Sequence, residues 1–401
     1  MYSSISPKTM KETNIISVFN LIKLHPFITR REIAKKLSLS PSTVTVITEQ
    51  LLAKELIVED SPINGGKLGR RPVGLKVTGK YLFIIAVEVY DNRLAGAIFD
   101  INLKKVADYS YKIHISGSNI TNHIIAFIEE LKSKNEFVSP EYLGIGIAFA
   151  GMVERKNRQL VTATKMKIYE ANIADVISDY FGINVYMENI SVLAGMAEKA
   201  RYRYSDYYVY IYNDQGIGGC VYEKGRFLCG SLGVSPEIGH LSVDPLGEKC
   251  YCGNRGCIEM YASMHSVLTA VAKHIEGGGK TAVKELSGGD NALIDGKMLS
   301  EAVKSGDSAV LDIILDAAEK FGLALVYIVN LFNPDTIVIG GRIEELGEIF
   351  KNKVLDTVTE RTIPALRNTL KIEYVPVDDF QVLKGSAVLV LDNEIANVVL
   401  G

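Results

Sequence analysis

Three of the five cysteines fall in one short stretch, Cys250, Cys252 and Cys257, with His240 ten residues upstream of the first. Cys-x-Cys followed by a third cysteine five residues on sets three thiols on a tight loop. Gly253 and Gly256 supply the backbone freedom that such a turn demands. Three thiolates and one imidazole form the tetrahedral donor set of a structural Zn2+, with no position left open for water. The alternative is three ordinary cysteines in a loop. A disulfide fits less well, because nothing in the chain points to an oxidising compartment. Two glutamates, Glu237 and Glu259, bracket the segment and are not needed by a filled zinc shell. The loop therefore demands a folded scaffold on both sides and leaves two carboxylates available for another ligand.

Charge divides the chain into two parts. Residues 1–80 carry 13 Lys/Arg against 6 Asp/Glu, so a chain of net charge −3 has a +7 head and a −10 remainder. A basic head on an acidic body points to nucleic acid as the partner of the head. At 401 residues, 47% of them hydrophobic, the chain is expected to form two or three domains with sizeable cores. No secretory signal and no apolar run long enough to span a bilayer is visible, which gives a cytoplasmic reading.

In the head, Ile15, Val18, Phe19 and Ile22 recur at helical spacing until Pro26 stops the helix. Thr29 with Glu32 forms a capping box for a second helix that buries Ile33, Ala34 and Leu37. Ser40 as N-cap and Pro41 at the first helical position open a third helix. Its apolar face is Val44, Ile47 and Leu51, which places Ser42, Thr43, Thr45 and Thr48 largely on other faces. Strands around Leu56–Val58 and Val73–Val77 complete a winged helix-turn-helix, with Lys67, Arg70 and Arg71 in the wing tip. In that geometry the start of the third helix enters the major groove, and the basic arm meets phosphates or a minor groove. The expected DNA-contacting set is Thr29, Arg30, Ser40, Ser42, Thr43, Thr45, Thr48, Lys67, Arg70 and Arg71. A winged helix used for protein contacts is the alternative.

From Tyr81 the pattern becomes strand, strand, strand, helix, strand, helix, strand, and the second half repeats that order. This predicts a duplicated α/β body of two lobes with a cleft between them. The domains are expected at 1–78 for the winged helix and its linker, 79–200 for the first lobe, and 201–383 for the second lobe with the loop 237–259. A C-terminal helix at about 384–401 returns to the first lobe. Cys220 and Cys229 lie outside the metal motif and are expected as buried small apolar residues. The tyrosine-rich run at 202–210 is expected to pack within a lobe.

Five segments together resemble the ROK (repressor, open reading frame, kinase) family: E-I-G-H at 237–240, C-Y-C-G-N-R-G-C-I-E at 250–259, D-Q-G-I-G-G at 214–219, N-P-D-T-I-V-I-G-G at 333–341 and G-R-R-P at 69–72. The resemblance spans essentially the whole chain and implies an actin-like sugar-kinase fold for the body. It implies Asn189, Glu237, His240 and Glu259 as sugar contacts, with His240 facing zinc through one nitrogen and ligand through the other.

The kinase motifs themselves are altered. Where family kinases carry Asp-x-Gly-Gly-Thr, this chain has Glu88-Val89-Tyr90-Asp91-Asn92, adding bulk and negative charge where phosphate should meet backbone N–H groups. Where they carry Asn-Asp-Ala-Asn, this chain has Asn189-Ile190-Ser191-Val192, and Ile190 has no proton to exchange. Losing a general base alone lowers rates by about 10²–10⁴-fold. The expectation is a sugar-responsive DNA-binding regulator, most simply a repressor of carbohydrate-utilisation genes. It would have no catalytic residues, a structural Zn2+, a sugar or sugar-derived effector, and a homodimeric or dimer-of-dimers assembly on operator DNA. An active ATP-dependent sugar kinase is the competing reading.

Overall fold

The computed structural model describes all residues except 1–6, 61–72, 79–81, 116, 138–139, 202–205 and 401. The head is built from helix α1 (Pro7–Leu24), strand β1 (Ile28–Thr29), helices α2 (Arg30–Leu37) and α3 (Pro41–Ala53), and strands β2 (Ile57–Asp60) and β3 (Gly74–Val77). Local chemistry explains its joints. The Thr29 hydroxyl accepts the Glu32 N–H while the Thr29 N–H donates to the Glu32 carboxylate, the reciprocal capping box read from the sequence. Ser40 caps α3 by accepting the Thr43 N–H, and Ser38 takes a left-handed conformation to make the intervening turn. β3 pairs antiparallel with both β1 and β2 to form the wing sheet. The apolar set Ile15, Val18, Phe19, Ile22, Ile33, Val44, Ile47 and Leu51 is buried as the helical spacing requires.

The first lobe follows with β4 (Leu82–Val89), β5 (Arg93–Asp100), β6 (Lys105–Lys112), α4 (Ile120–Ser133), β7 (Glu141–Phe149), β8 (Met152–Glu154), β9 (Gln159–Ala163), β10 (Ile168–Ala171), α5 (Ile173–Phe181), β11 (Val185–Asn189) and α6 (Ile190–Arg201). The second lobe holds β12 (Tyr207–Asn213), β13 (Ile217–Glu223), β14 (Arg226–Phe227), α7 (Glu259–Ala262), α8 (Met264–Glu276), α9 (Ala282–Leu286), α10 (Gly296–Lys304), α11 (Ser308–Phe332), β15 (Thr336–Gly340), α12 (Gly347–Arg361), α13 (Pro364–Arg367) and β16 (Lys371–Tyr374). The chain ends in α14 (Gln381–Leu400).

The two main sheets have one plan. Their strand orders are β11-β7-β4-β5-β6 and β16-β15-β12-β13-β14, in each case an antiparallel trio extended by two parallel strands on the side of its first member. The duplication expected from element order is therefore present in topology. A small antiparallel sheet, β8-β9-β10, is inserted in the first lobe and was not legible in the sequence.

α14 packs on the first lobe, burying Ala387, Val390, Leu391 and Ile395 in one core with Ile84 and Ala86 of β4. It lies so close to α6 that a Cβ on Gly385 would collide with the carbonyl of Leu193. Gln381, at the start of α14, donates to Tyr210 OH at 2.6 Å and to Glu198 Oε1 at 3.1 Å, tying α14 to both α6 and the second sheet. The head rests on the other side of α14. Asn20 of α1 donates to Asp392 at 3.0 Å, and burial lowers the Lys23 ammonium to about 8 against the opposing pull of Asp392 and Asp100. The head core and the α14 core form one continuous apolar cluster.

Candidate functional site

The interlobe cleft has a volume of about 450 Å³. Its lining includes all four residues that the family resemblance put forward: Asn189, Glu237, His240 and Glu259. Each is fixed by its element. Asn189 ends β11, where its amide donates to Gly151 O at 2.8 Å and its Oδ1 accepts both the Ser191 N–H and hydroxyl. Glu188 beneath it accepts from Arg155 and from the Asn189 N–H, 2.7 and 2.8 Å away, so the strand end is pinned on both faces. Glu259 starts α7; its Oε2 accepts the Ile217 N–H at 2.9 Å and its Oε1 the Tyr251 hydroxyl at 2.6 Å. Gly216 leaves the room for this contact, since a Cβ there would press on Glu259 Oε2. Burial and the neighbouring Glu259 carboxylate push the Glu237 carboxyl upward.

His240, Cys250, Cys252 and Cys257 bring their donor atoms within 4.8 Å of one another. A tetrahedral site with ~2.3 Å metal–sulfur bonds requires ligand–ligand edges near ~3.8 Å. The Cys252–Cys257 sulfur pair and the Cys250 Sγ–His240 Nδ1 pair both stand at 3.7 Å. The donors thus fit a metal ion, and it is Nδ1 of His240 that faces the thiols. Its Nε2 lies on the other side, 3.9 Å from Glu237 Oε2. The imidazole consequently has one nitrogen for the cluster and one toward the cleft. Burial and the neighbouring thiols raise Cys257 to about 12, a pressure that a bound cation would reverse by stabilising thiolates.

The opposite side of the cleft is filled. Tyr90 is only 6% exposed, and Arg93 stacks over its ring at 5.3 Å. Arg93 also reaches Glu88, a carboxylate that burial drives up to about 7. Tyr212 donates to Asp214 at 3.4 Å in the same region. Ile190, also 6% exposed, joins Tyr90, Leu193 and Tyr210 in an apolar cluster and presents hydrocarbon where a base would stand. Gly341 turns the chain at φ 92° against the backbone of Asn213, which accounts for it as a turn glycine.

On the head, Ser42 is exposed and Thr43 and Thr45 half-exposed at the start of α3, as expected. Thr48 is not outward. It is fully buried, accepting from Arg30 Nε at 2.9 Å and donating to Thr45 O. The outward placement expected for it is wrong: it lies one residue beyond Ile47 and four beyond Val44, beside the apolar face, and the neighbouring α2 covers it. Arg30 is engaged by Thr48 and by Glu59 at 2.8 Å, and Thr29 and Ser40 hold their helix caps. Val46, 52% exposed on the same outward face as Ser42, was missed; the i, i+4 spacing from Ser42 was the available signal. Lys67, Arg70 and Arg71 lie outside the described residues. Cys220 is buried as expected, but Cys229 is exposed, on the loop after β14. In the tyrosine run, Tyr208 and Tyr210 are buried in the second sheet; residues 202–205 lie outside the described set.

A winged-helix head on a two-lobed, kinase-shaped body defines the class of protein. Residues 84–393 match the ROK family, and the chain belongs to it. Residues 12–58 match a winged helix-turn-helix DNA-binding domain. The chain is 26% identical to the xylose repressor of Caldicellulosiruptor bescii over 396 residues, covering 96% of each protein. It is 24% identical to the DNA-binding transcriptional repressor Mlc of Escherichia coli over 387 residues, covering 95% of this chain and 93% of that one. A crystal structure of a ROK family transcriptional regulator, a homologue of the E. coli Mlc protein, superposes with a TM-score of 0.81 at 25% identity, covering 98% of this chain and all of that one.

Proposed function

We propose that this chain is a sugar-responsive, DNA-binding repressor of carbohydrate-utilisation genes. The observation that carries this reading is the pairing of a winged-helix head with a cleft lined on one side by Asn189, Glu237, His240 and Glu259 and packed on the other by Tyr90 and Ile190. The cleft binds an effector through Asn189, Glu237, His240 and Glu259 and does not phosphorylate it. Full-length similarity to proteins named as repressors supports the same reading.

Zinc is the metal best suited to three thiols and an imidazole with no open position. Held by His240, Cys250, Cys252 and Cys257, it would keep rigid the loop that presents Glu237 and Glu259. The outward start of α3, through Ser42, Thr43 and Thr45, reads the major groove, with Lys67, Arg70 and Arg71 on the backbone or minor groove. A homodimer, or a dimer of dimers, presents paired heads to a near-palindromic operator. The effector shifts the DNA-binding equilibrium only as far as its affinities for the two states differ. A physical route from cleft to head exists: Asn189 ends β11 and Ile190 begins α6, α6 packs on α14, and α14 carries the Asp392 that holds α1.

The test is binding of the purified chain to fragments of its own promoter region across a salt series. Sequence-preferring affinity that falls steeply with salt is expected. Indifference to sequence at every salt concentration would sink the proposal, and ATP turnover with a sugar would favour the kinase reading instead.

A further inference from the structure

Lys165 was not singled out by the sequence, yet it occupies a singular place. Among the described lining residues of the cleft it is the sole lysine or arginine, set against the carboxylates of Asp91, Glu237 and Glu259. It sits in the turn Thr164–Met166 after β9, between the buried Ala163 and Met166, on the small sheet inserted in the first lobe. From there it crosses to the second lobe. Its Nζ lies 3.5 Å from Glu259 Oε1 and 4.8 Å over the ring of Tyr251. Tyr251 in turn donates to the same Glu259 oxygen and meets the His240 ring edge-on at 5.3 Å. One ammonium of the first lobe thus grips the carboxylate and the aromatic ring that carry the ligand face of the second.

We propose that Lys165 is a positioning residue for the occupant of the cleft: it ties the two lobes across the mouth, orients Glu259, and the occupant it admits is an uncharged sugar rather than a sugar phosphate. The second half of the statement follows from charge. The sole lysine of the lining is already engaged by Glu259, Arg93 beside Tyr90 is paired with Glu88, and Arg342 near Asp214 is paired with Glu345 and Asp379, so a dianion entering the cleft would meet carboxylates and engaged cations and lose its hydration. Hydroxyl groups find what they need in Asn189, Glu237 and Glu259, which accept and donate without a net charge on the ligand. The inference rests on the reading of the cleft as a sugar site, and the experiment separates the two.

Hydrogen–deuterium exchange of the free full-length chain reads the tie directly. Lys165→Met should speed exchange in both 159–171 and 248–262 by roughly fivefold, the scale of a half-exposed ion pair with a cation–π contact. Lys165→Arg, which keeps the charge and stacks on aromatic rings, should restore the wild-type rates. Calorimetric titration with D-xylose, D-glucose and D-glucose 6-phosphate reads the ligand class. A free sugar should bind at least about tenfold more tightly than the phosphate, and Lys165→Met should weaken it while Lys165→Arg does not. Wild-type exchange in either segment of Lys165→Met, a failure of arginine to rescue, or tighter binding of the phosphate overturns the proposal. If none of the three compounds binds the wild-type chain, the sugar reading of the cleft and the ligand class fall together, and the tie stands or falls on exchange alone.

Discussion

The two sides of the cleft have diverged within one inherited geometry. On the second-lobe side, Glu259 is held by the Ile217 N–H and the Tyr251 hydroxyl, and a four-donor cluster lies behind the loop that carries Glu237. On the other side, Tyr90, Tyr212 and Ile190 are packed, with Glu88 and Asp214 among them. The first side is polar, pre-organised and open; the second is closed by side-chain volume, and its nearby guanidinium, Arg93, is already paired with Glu88. The difference teaches that binding and chemistry in such a cleft are separable. The proposed sugar contacts depend on a loop fixed from outside, whereas catalysis depends on empty space and a proton acceptor, which a few bulky substitutions remove.

The strongest way to break the comparison is to remove the support of the open side. Cys257→Ser, at a fully buried donor, should reduce bound zinc from about one per chain to near zero and destabilise the protein by at least about 3 kcal/mol. Metal analysis and thermal denaturation check this, and a metal-free wild-type chain that melts normally would refute the metal assignment. Next in size is Ile190→Asp. It supplies the missing carboxyl but buries it beside Tyr90 and Leu193, so we expect a loss of about 2–3 kcal/mol in urea denaturation and no ATP turnover. Turnover by this single variant would erase the distinction between the two sides.

A smaller effect sharpens it. Burial raises the Glu88 carboxyl from its ordinary 4.5 to about 7 in the folded state. Between those values the native chain holds a proton that the unfolded chain has released, so stability falls as pH rises from about 4.5 through 7. Glu88→Gln, which cannot ionise, should remove a pH-dependent contribution on the order of 2 kcal/mol across that window, read as a flatter plot of denaturation midpoint against pH. An unchanged slope would mean that the carboxyl is not buried in the way the packing indicates.

Much of this was open to reading because it depends on local rules. The capping box at Thr29, the Ser40–Pro41 helix start and the buried faces of α1 to α3 follow from hydrogen bonds and spacing within a few residues. Cys250, Cys252 and Cys257 come together because a short loop leaves them little else to do. Where a neighbour from elsewhere in the chain decides, the reading failed. Thr48 is buried because Arg30 and α2 lie across it, and Cys229 stands exposed on the loop after β14. The β8-β9-β10 sheet escaped notice because its strands are only three to five residues long and half-buried, so they show little alternation.

The sequence by itself determined a basic winged-helix head, a duplicated α/β body, a clustered donor set and the replacement of the kinase base by Ile190. Each of these is a matter of residue type and near spacing. Only the tertiary structure decided that Tyr90 packs with Ile190 and Tyr210 in one apolar cluster, that Lys165 spans the mouth to Glu259, and that α14 lies between α6 and the head with Asp392 on Asn20. Those contacts join residues tens to hundreds of positions apart. Their partners are chosen by how sheets and helices stack, which no short stretch of sequence encodes.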